Sequence, residues 1–311
     1  MRTRHSRRGY VLLLVIAIMV LLTTALAALS KTSLKRALAA SDARIRLQQR
    51  LGAESLEQVL LGEAAGVFDA LEKSVEEDRK NGIDARVPTQ LRDAVTVGGV
   101  TYDVLLADED AKLNLNQVYH AVGRERLRRA IGEVAGPVVL RSVRLTPAVP
   151  QTKPAENRRE QDSDDDVEVP PAFRSWGEVF DLAALSSTIG DDAALPNVTS
   201  ELTCWAGGGI NVKRATDKAF TQTVACVLSQ GAAERLVERY RESPAADLRI
   251  LIQTEGTSQR DRLALARLLT ESSTHHSLWI DASATARRSM RSFSVLRKTE
   301  EGVNVNERFA F

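Results

Sequence analysis

The chain has 311 residues, 43% of them hydrophobic and 27% charged, with a formal net charge of +1. That is enough for one membrane helix plus one or two compact domains, and so balanced a charge supplies no global field for nucleic acid. Two cysteines without clustered histidines exclude a zinc site of the Cys/His type.

Arg2, Arg4, Arg7 and Arg8 precede a run from Tyr10 to Leu29 that holds no charge, proline or glycine. The run supplies the ~20 apolar residues that carry a helix across a ~30 Å hydrocarbon core, and the basic cluster belongs on the cytoplasmic side. An ordinary secretory signal peptide has a shorter apolar core and then a small-residue cleavage site. Here the run passes without a breaker into a charged stretch where Leu34, Leu38, Ile45, Leu51, Leu56, Val59, Leu60, Val67, Phe68 and Leu71 recur at helical intervals, and the first proline is Pro88. The spacing predicts one helix from the membrane into the soluble part, roughly 60 Å or longer. Gly52, Gly62 and Gly66 weigh against its second half.

Asn81-Gly82 and Pro88 mark a break. Val95, Val97, Val100, Tyr102, Val104 and Leu106 then alternate about Gly98-Gly99, the pattern of a tight hairpin, with one sheet face available to the amphipathic helix. In the following DEDAKLNLN, Asn114 and Asn116 are placed to bond neighbouring backbone groups and cap the next helix. That helix reads from Gln117 through Val118, Val122, Leu127, Ile131 and Val134, with Arg124, Arg126, Arg128 and Arg129 on its other faces, a solvated face rather than a phosphate grip. A proline-rich, apolar-poor loop follows over 145–172. Its Asp162, Asp164, Asp165, Asp166 and Glu168 offer oxygens to calcium, yet they fit no EF-hand spacing and read as an acidic loop.

From Ser175 to Ser243 a second helical unit follows, continuing to a break at Pro244 and then RDRLALARLLTESS. Gly207, Gly208 and Gly209 lie in no phosphate-binding frame, so a tight turn accounts for them. Asn197-Val198-Thr199 matches a glycosylation acceptor, a pattern frequent by chance. Trp279, Phe293, Val295, Phe309 and Phe311 suit strands that rejoin the sheet opened at Val95, which makes the helical block an insertion. Cys204 and Cys226 could be joined in an oxidising compartment or be two small buried hydrophobes; spacing alone leaves both open. His5 is in the leader, and His120, His275 and His276 belong to no HExxH, GxSxG or paired-carboxylate pattern, so nothing marks an enzyme or a cofactor.

Three stretches carry a resemblance. The basic leader, Gly9, Tyr10, apolar helix and amphipathic extension resemble the prepilin signal of type IV pilins and type II secretion pseudopilins. Lys112 to Asn116 match a junction pattern of the minor pseudopilin K family, although Ala111 stands where that family often has Asn-Gly. Ile210, Asn211, Val212 and Ala215 are similar to the opening of a helix in the family's inserted region, with Lys213 and Arg214 where Asn and Thr are usual. Most prepilins carry Glu at the fifth mature position, where this chain has Leu14. A tip subunit has no neighbour above to pair with that costly carboxylate, and the K family characteristically lacks it.

The chain thus resembles the type II secretion minor pseudopilin K family (general secretion pathway protein K) over essentially its whole length. The implied fold is α+β: a pilin-like long N-terminal helix on a small antiparallel sheet, with a large, mainly helical insert. The implied segments are a leader 1–9, a transmembrane part 10–29, an amphipathic continuation 30–80, first strands 88–112, an insert 113–275 and C-terminal strands 276–311. The resemblance further implies cleavage between Gly9 and Tyr10 by prepilin peptidase, N-methylation of Tyr10, and a single pass of the inner membrane with the bulk periplasmic. It implies a non-enzymatic role with other minor pseudopilins at the tip of a secretion pseudopilus, without nucleic acid or cofactor. The alternative is a membrane-anchored periplasmic protein that binds DNA or another partner through the helical block and Arg124 to Arg129.

Overall fold

A run without proline from the leader to Pro88 lets one helix, α1, extend unbroken over Arg7–Lys80 (74 residues). The computed structural model describes residues 7–81, 85–151, 170–189, 194–242, 247–256, 258–285, 288–299 and 302–310. Residues 1–6, Gly82, the acidic run from Asp162 to Glu168 with most of the 145–172 loop, Pro244 and Phe311 lie outside them.

The glycines that weighed against α1 have local reasons. A Cβ on Gly52 would sit 1.9 Å from the Tyr102 hydroxyl oxygen, and that hydroxyl donates to the Gln48 carbonyl at 2.8 Å. Gly62 faces open space, and the atom nearest Gly66 is the end of the Glu63 side chain. The helix bears their propensity cost because tertiary packing stabilises its apolar face. Gly52→Val is expected to destabilise the protein by about 1–3 kcal/mol through overpacking against the Tyr102 ring. A thermal melt no lower than wild type would contradict that close fit.

Strands β1 (Gln90–Val97) and β2 (Val100–Asp108) form the expected hairpin. Gly98 (φ 60) and Gly99 (φ 80) take the two left-handed positions that a type I′ turn requires. After β3 (Leu113–Asn114) come α2 (Leu115–Val122) and α3 (Arg124–Ala135), then α4 (Trp176–Val179), α5 (Leu182–Ile189) and α6 (Ala194–Val198). Next are β4 (Leu202–Thr203), β5 (Ile210–Asn211), α7 (Asp217–Val224), α8 (Gln230–Glu242), α9 (Leu248–Glu255), α10 (Gln259–Leu268) and β6 (Leu269–Thr270). The chain closes with β7 (His275–Thr285), β8 (Arg288–Thr299) and β9 (Gly302–Ala310).

One antiparallel sheet in the order β1-β2-β7-β8-β9 unites both ends of the soluble part. The fold is therefore the expected α+β one, with a mainly helical block between β2 and β7. Its layers follow from strand alternation. Tyr102, Val104, Leu106, Leu278, Ile280 and Ala282 share a core with Ala53, Ala64 and Phe68 of α1. Leu105, Trp279, Phe293 and Phe309 stand directly opposite one another on successive strands and face the insert. Trp205 of the insert packs on that row, 4.9 Å from Phe293 and 5.8 Å from Phe309 between ring centroids. The sheet is the middle layer between rod and insert.

The structure departs from the sequence reading in two local respects. The single helix expected from Gln117 onward is two, because Gly123 adopts φ 80 and its N–H closes α2 on the Tyr119 carbonyl. The insert also contains two short parallel pairs, β3–β4 and β5–β6; strands of two residues leave no period in a sequence.

Candidate assembly surface and polar joint

Among the described residues nothing covers the N-terminal apolar part of α1. An 18-residue window within Tyr10–Leu60 has mean hydropathy 2.9 and none of it is buried, so the helix is long and apolar enough to cross a membrane. Tyr10 is 72% and Leu14 48% exposed. Four residues apart, they lie on one side of the rod, and Gly9 is in the same helix. Further along, Gln49 Nε2 donates to the Ala282 carbonyl at 2.9 Å. Arg308 Nη2 reaches Glu57 Oε2 at 2.7 Å, which ties the last strand to the rod.

The acidic string after β2 makes the joint between rod, sheet and insert. Arg214, 3% exposed at its side chain, pairs with three carboxylates: Glu72 at 2.6 Å and Asp69 at 3.0 Å on α1, and Asp108 at 2.9 Å at the end of β2. Asp108 also accepts from Ser273 Oγ at 2.6 Å. Burial pushes the Asp108 carboxyl up to about 6, with Ser273 and Arg214 opposing. Asp110 accepts from the backbone N–H of Gly207 at 2.8 Å, Thr274 at 2.7 Å and His275 at 2.9 Å. Burial disfavours its charge, but the bonds from His275, Thr274 and Gly207 outweigh it and hold the group below the usual carboxylate range. Glu109 is buried with Lys112 and accepts from Ser277 Oγ.

Asn114 caps α2 as expected, accepting from the N–H of Asn116 and Gln117. Asn116 does something else: its amide clasps Phe173 N–H at 2.7 Å and the carbonyls of Phe173 and Cys204 at 3.0 and 2.8 Å. The Gly207 to Gly209 turn is tight for a steric reason. A Cβ on Gly207 would collide with the His275 ring, and one on Gly209 would press on the backbone of Leu268 and Leu269.

His276 is 1% exposed, and among the described residues neither ring nitrogen has a hydrogen-bond partner. Its ring stacks on Phe68 at 5.5 Å, and the Arg214 guanidinium lies 5.3 Å from the centroid of the same phenyl ring. Burial, and then Arg214, lower the imidazole to about 4. His275 contacts Thr274 Oγ1 at 2.9 Å, and His120 Nε2 lies 3.2 Å from the Pro170 carbonyl.

Cys204 and Cys226, for which spacing left both states open, are free in the structure. Cys204 is buried in the apolar core beside Trp205, whereas the Cys226 thiol turns back on its own chain to donate to the Gln222 carbonyl at 3.3 Å. Burial raises both thiols, Cys226 to about 12, so neither is a ready nucleophile. Among the described residues no group of three or more His, Cys, Asp or Glu is arranged to hold a metal. The acidic run weighed for calcium lies outside those residues.

Sequence reasoning missed Arg214 as the centre of the joint. Its signal was a pair of cations, Lys213 and Arg214, between apolar Val212 and Ala215.

An exposed apolar rod, a five-stranded sheet and a helical insert locked together by buried ion pairs define an α+β protein of pilin-like layout. No family model matches the chain, and no curated protein matches its sequence. Among solved structures it is similar to a chain of the GspK-GspI-GspJ complex from the enterotoxigenic Escherichia coli type 2 secretion system, at 14% identity and a TM-score of 0.35, covering 84% of this chain and 99% of that one. A superposition that loose leaves function to be read from this chain's own rod, sheet and insert.

Proposed function

We propose that the chain is a non-enzymatic minor pseudopilin of the K type in a type II secretion system, assembling through α1 at the tip of a periplasmic pseudopilus. The observation that carries this reading is the wholly unburied apolar stretch from Tyr10 to Leu29 at the head of an unbroken 74-residue helix. In a bilayer that surface is solvated by lipid; on extraction it must be covered by neighbouring helices, and the burial supplies the packing energy of a filament. Arg214 fixes the insert to the rod, so a change in the rod's position carries the bulky insert with it. Such an insert at the C-terminal end of the rod obstructs the addition of a subunit above, which suits a cap. Leu14 in place of an acid suits a subunit with no upper partner. In this reading the peptide bond between Gly9 and Tyr10 is cut by prepilin peptidase, Tyr10 is N-methylated, and the other minor pseudopilins are the neighbours. The chain spans the inner membrane once, with its body periplasmic.

The test is mass spectrometry of the N-terminus after coexpression with a prepilin peptidase. The expected product begins at Tyr10 and is one methyl group heavier than the unmodified peptide. An intact leader, or a cut near Ala25 to Ala28, would assign the segment to a plain anchor or an ordinary signal peptide instead.

A further inference from the structure

Helix α3 holds Arg124, Arg126, Arg128 and Arg129 within six residues. Two of them serve the fold: Arg124 donates to the Arg144 carbonyl at 3.0 Å and Arg128 to the Leu140 carbonyl at 3.2 Å. Arg126 and Arg129 have no hydrogen bond or ion pair among the described residues. Both border a cleft of about 580 Å³ between the α2–α3 pair and the turn from α7 into α8. Like charges three apart on a helix repel; Glu125 and Glu133, each four residues from Arg129, offset part of that, whereas Arg126 has no acidic residue three or four positions away on the helix.

The rest of the lining says what would relieve it. Val118, Val122, Ala130 and Leu228 give the cleft apolar wall. Gln222 supplies an amide, and Ser229 and Gln230 present the N-terminal end of the 13-residue helix α8, which carries partial positive charge. Glu133, one turn beyond Arg129, repels a carboxylate at its own end and so gives the cleft a polarity. A volume of this size takes a compact ligand or a short stretch of chain. Double-stranded nucleic acid would need a continuous basic track along its phosphates, and two arginines with Glu133 beside them do not make one. Guanidinium groups meet planar carboxylates through forked, charge-assisted hydrogen bonds.

We propose that this cleft is a docking site for an acidic, aliphatic-rich segment of another polypeptide, whose carboxylates pair with Arg126 and Arg129 and whose side chains lie on Val118, Val122 and Leu228. The site does not rest on the pseudopilin reading, which the N-terminal mass tests separately.

The experiment uses the full chain in detergent micelles and a fluorescein-labelled peptide of alternating glutamate and leucine, followed by anisotropy against empty micelles. Binding is expected, weakening with added salt. Arg126→Glu with Arg129→Glu should weaken it at least about tenfold, the scale of lost charge-assisted hydrogen bonds. The melting temperature should hold, since both side chains are exposed. Gln222→Trp, which fills the cleft and leaves the charges in place, should weaken binding as well, and it decides the matter if the double variant does not fold. Absence of binding, equal binding of a lysine–leucine peptide, or unchanged affinity in the variants would overturn the proposal. So would displacement of the peptide by inorganic phosphate or duplex DNA at lower concentration than by unlabelled peptide.

Discussion

Replacing Arg214 with methionine is expected to cost about 3–5 kcal/mol, the penalty for leaving a buried charge without its partner. For a body of this size that is a fall in Tm on the order of 10 °C. The reason is Asp108, whose side chain is fully buried, unlike Asp69 and Glu72, which keep some contact with water. Without the guanidinium, Asp108 retains the Ser273 hydroxyl and the Asp110 backbone N–H as donors but no cation, and it is expected to take up a proton at neutral pH, because burial already holds it near 6 with Arg214 present. Arg214→Lys should recover little, since one ammonium cannot reach three carboxylates that now bind separate guanidinium nitrogens. Combining Arg214→Met with Asp108→Asn should recover part of the loss, and a double-mutant cycle measures how much. If Arg214→Met melts within a degree or two of wild type, the joint does not hold rod, sheet and insert together.

The second large effect is on the pH dependence of stability. His276 titrates near 4 when folded and near its ordinary 6.5 when unfolded. The unfolded chain therefore binds more protons between those values, and stability falls as pH drops from about 6.5 to 4, by on the order of 3 kcal/mol. Asp108 works the other way. Its folded value near 6 lies above its ordinary 3.8, so the folded chain binds more protons in that window and stability rises as pH falls from about 6 to 4. The groups facing His276 are Arg214 from the insert, Asp69 from the rod, and Asp110 and His275 from the joint. Asp110 is held below the ordinary carboxylate range and changes charge under more acidic conditions. The wild type should consequently show a shallow profile between pH 6.5 and 4. His276→Phe should expose stabilisation on acidification, and Asp108→Asn should expose destabilisation. Urea midpoints across that range measure both; parallel profiles for the two variants would show that neither group titrates as its surroundings require.

Joint and rod differ in how they are written in the chain. The rod is a local property: an uncharged run without proline or glycine, followed by apolar residues at helical intervals, needs no distant partner to be recognised. The hairpin about Gly98-Gly99 is equally local, since two left-handed positions between alternating strands admit little else. Gly52 misled because its reason is Tyr102, fifty residues away, whose hydroxyl occupies the space a side chain would fill. Asn114 was legible as a helix cap, for its partners are two and three residues on. Asn116 was not, because it binds Phe173 and Cys204.

By itself, then, the sequence determined a long apolar helix, an amphipathic continuation, an early hairpin and late strands around a helical block. These features repeat with the period of the backbone, so burial pattern and backbone geometry specify them together. Only the tertiary structure decided that Arg214 would bridge carboxylates 106 to 145 residues distant. It likewise decided that His276 would be sealed against Phe68, that Cys204 and Cys226 would remain apart, and that two of four adjacent arginines would border a cleft. Such pairings depend on which surfaces meet when the sheet closes between rod and insert, and no spacing along the chain encodes a meeting of that kind.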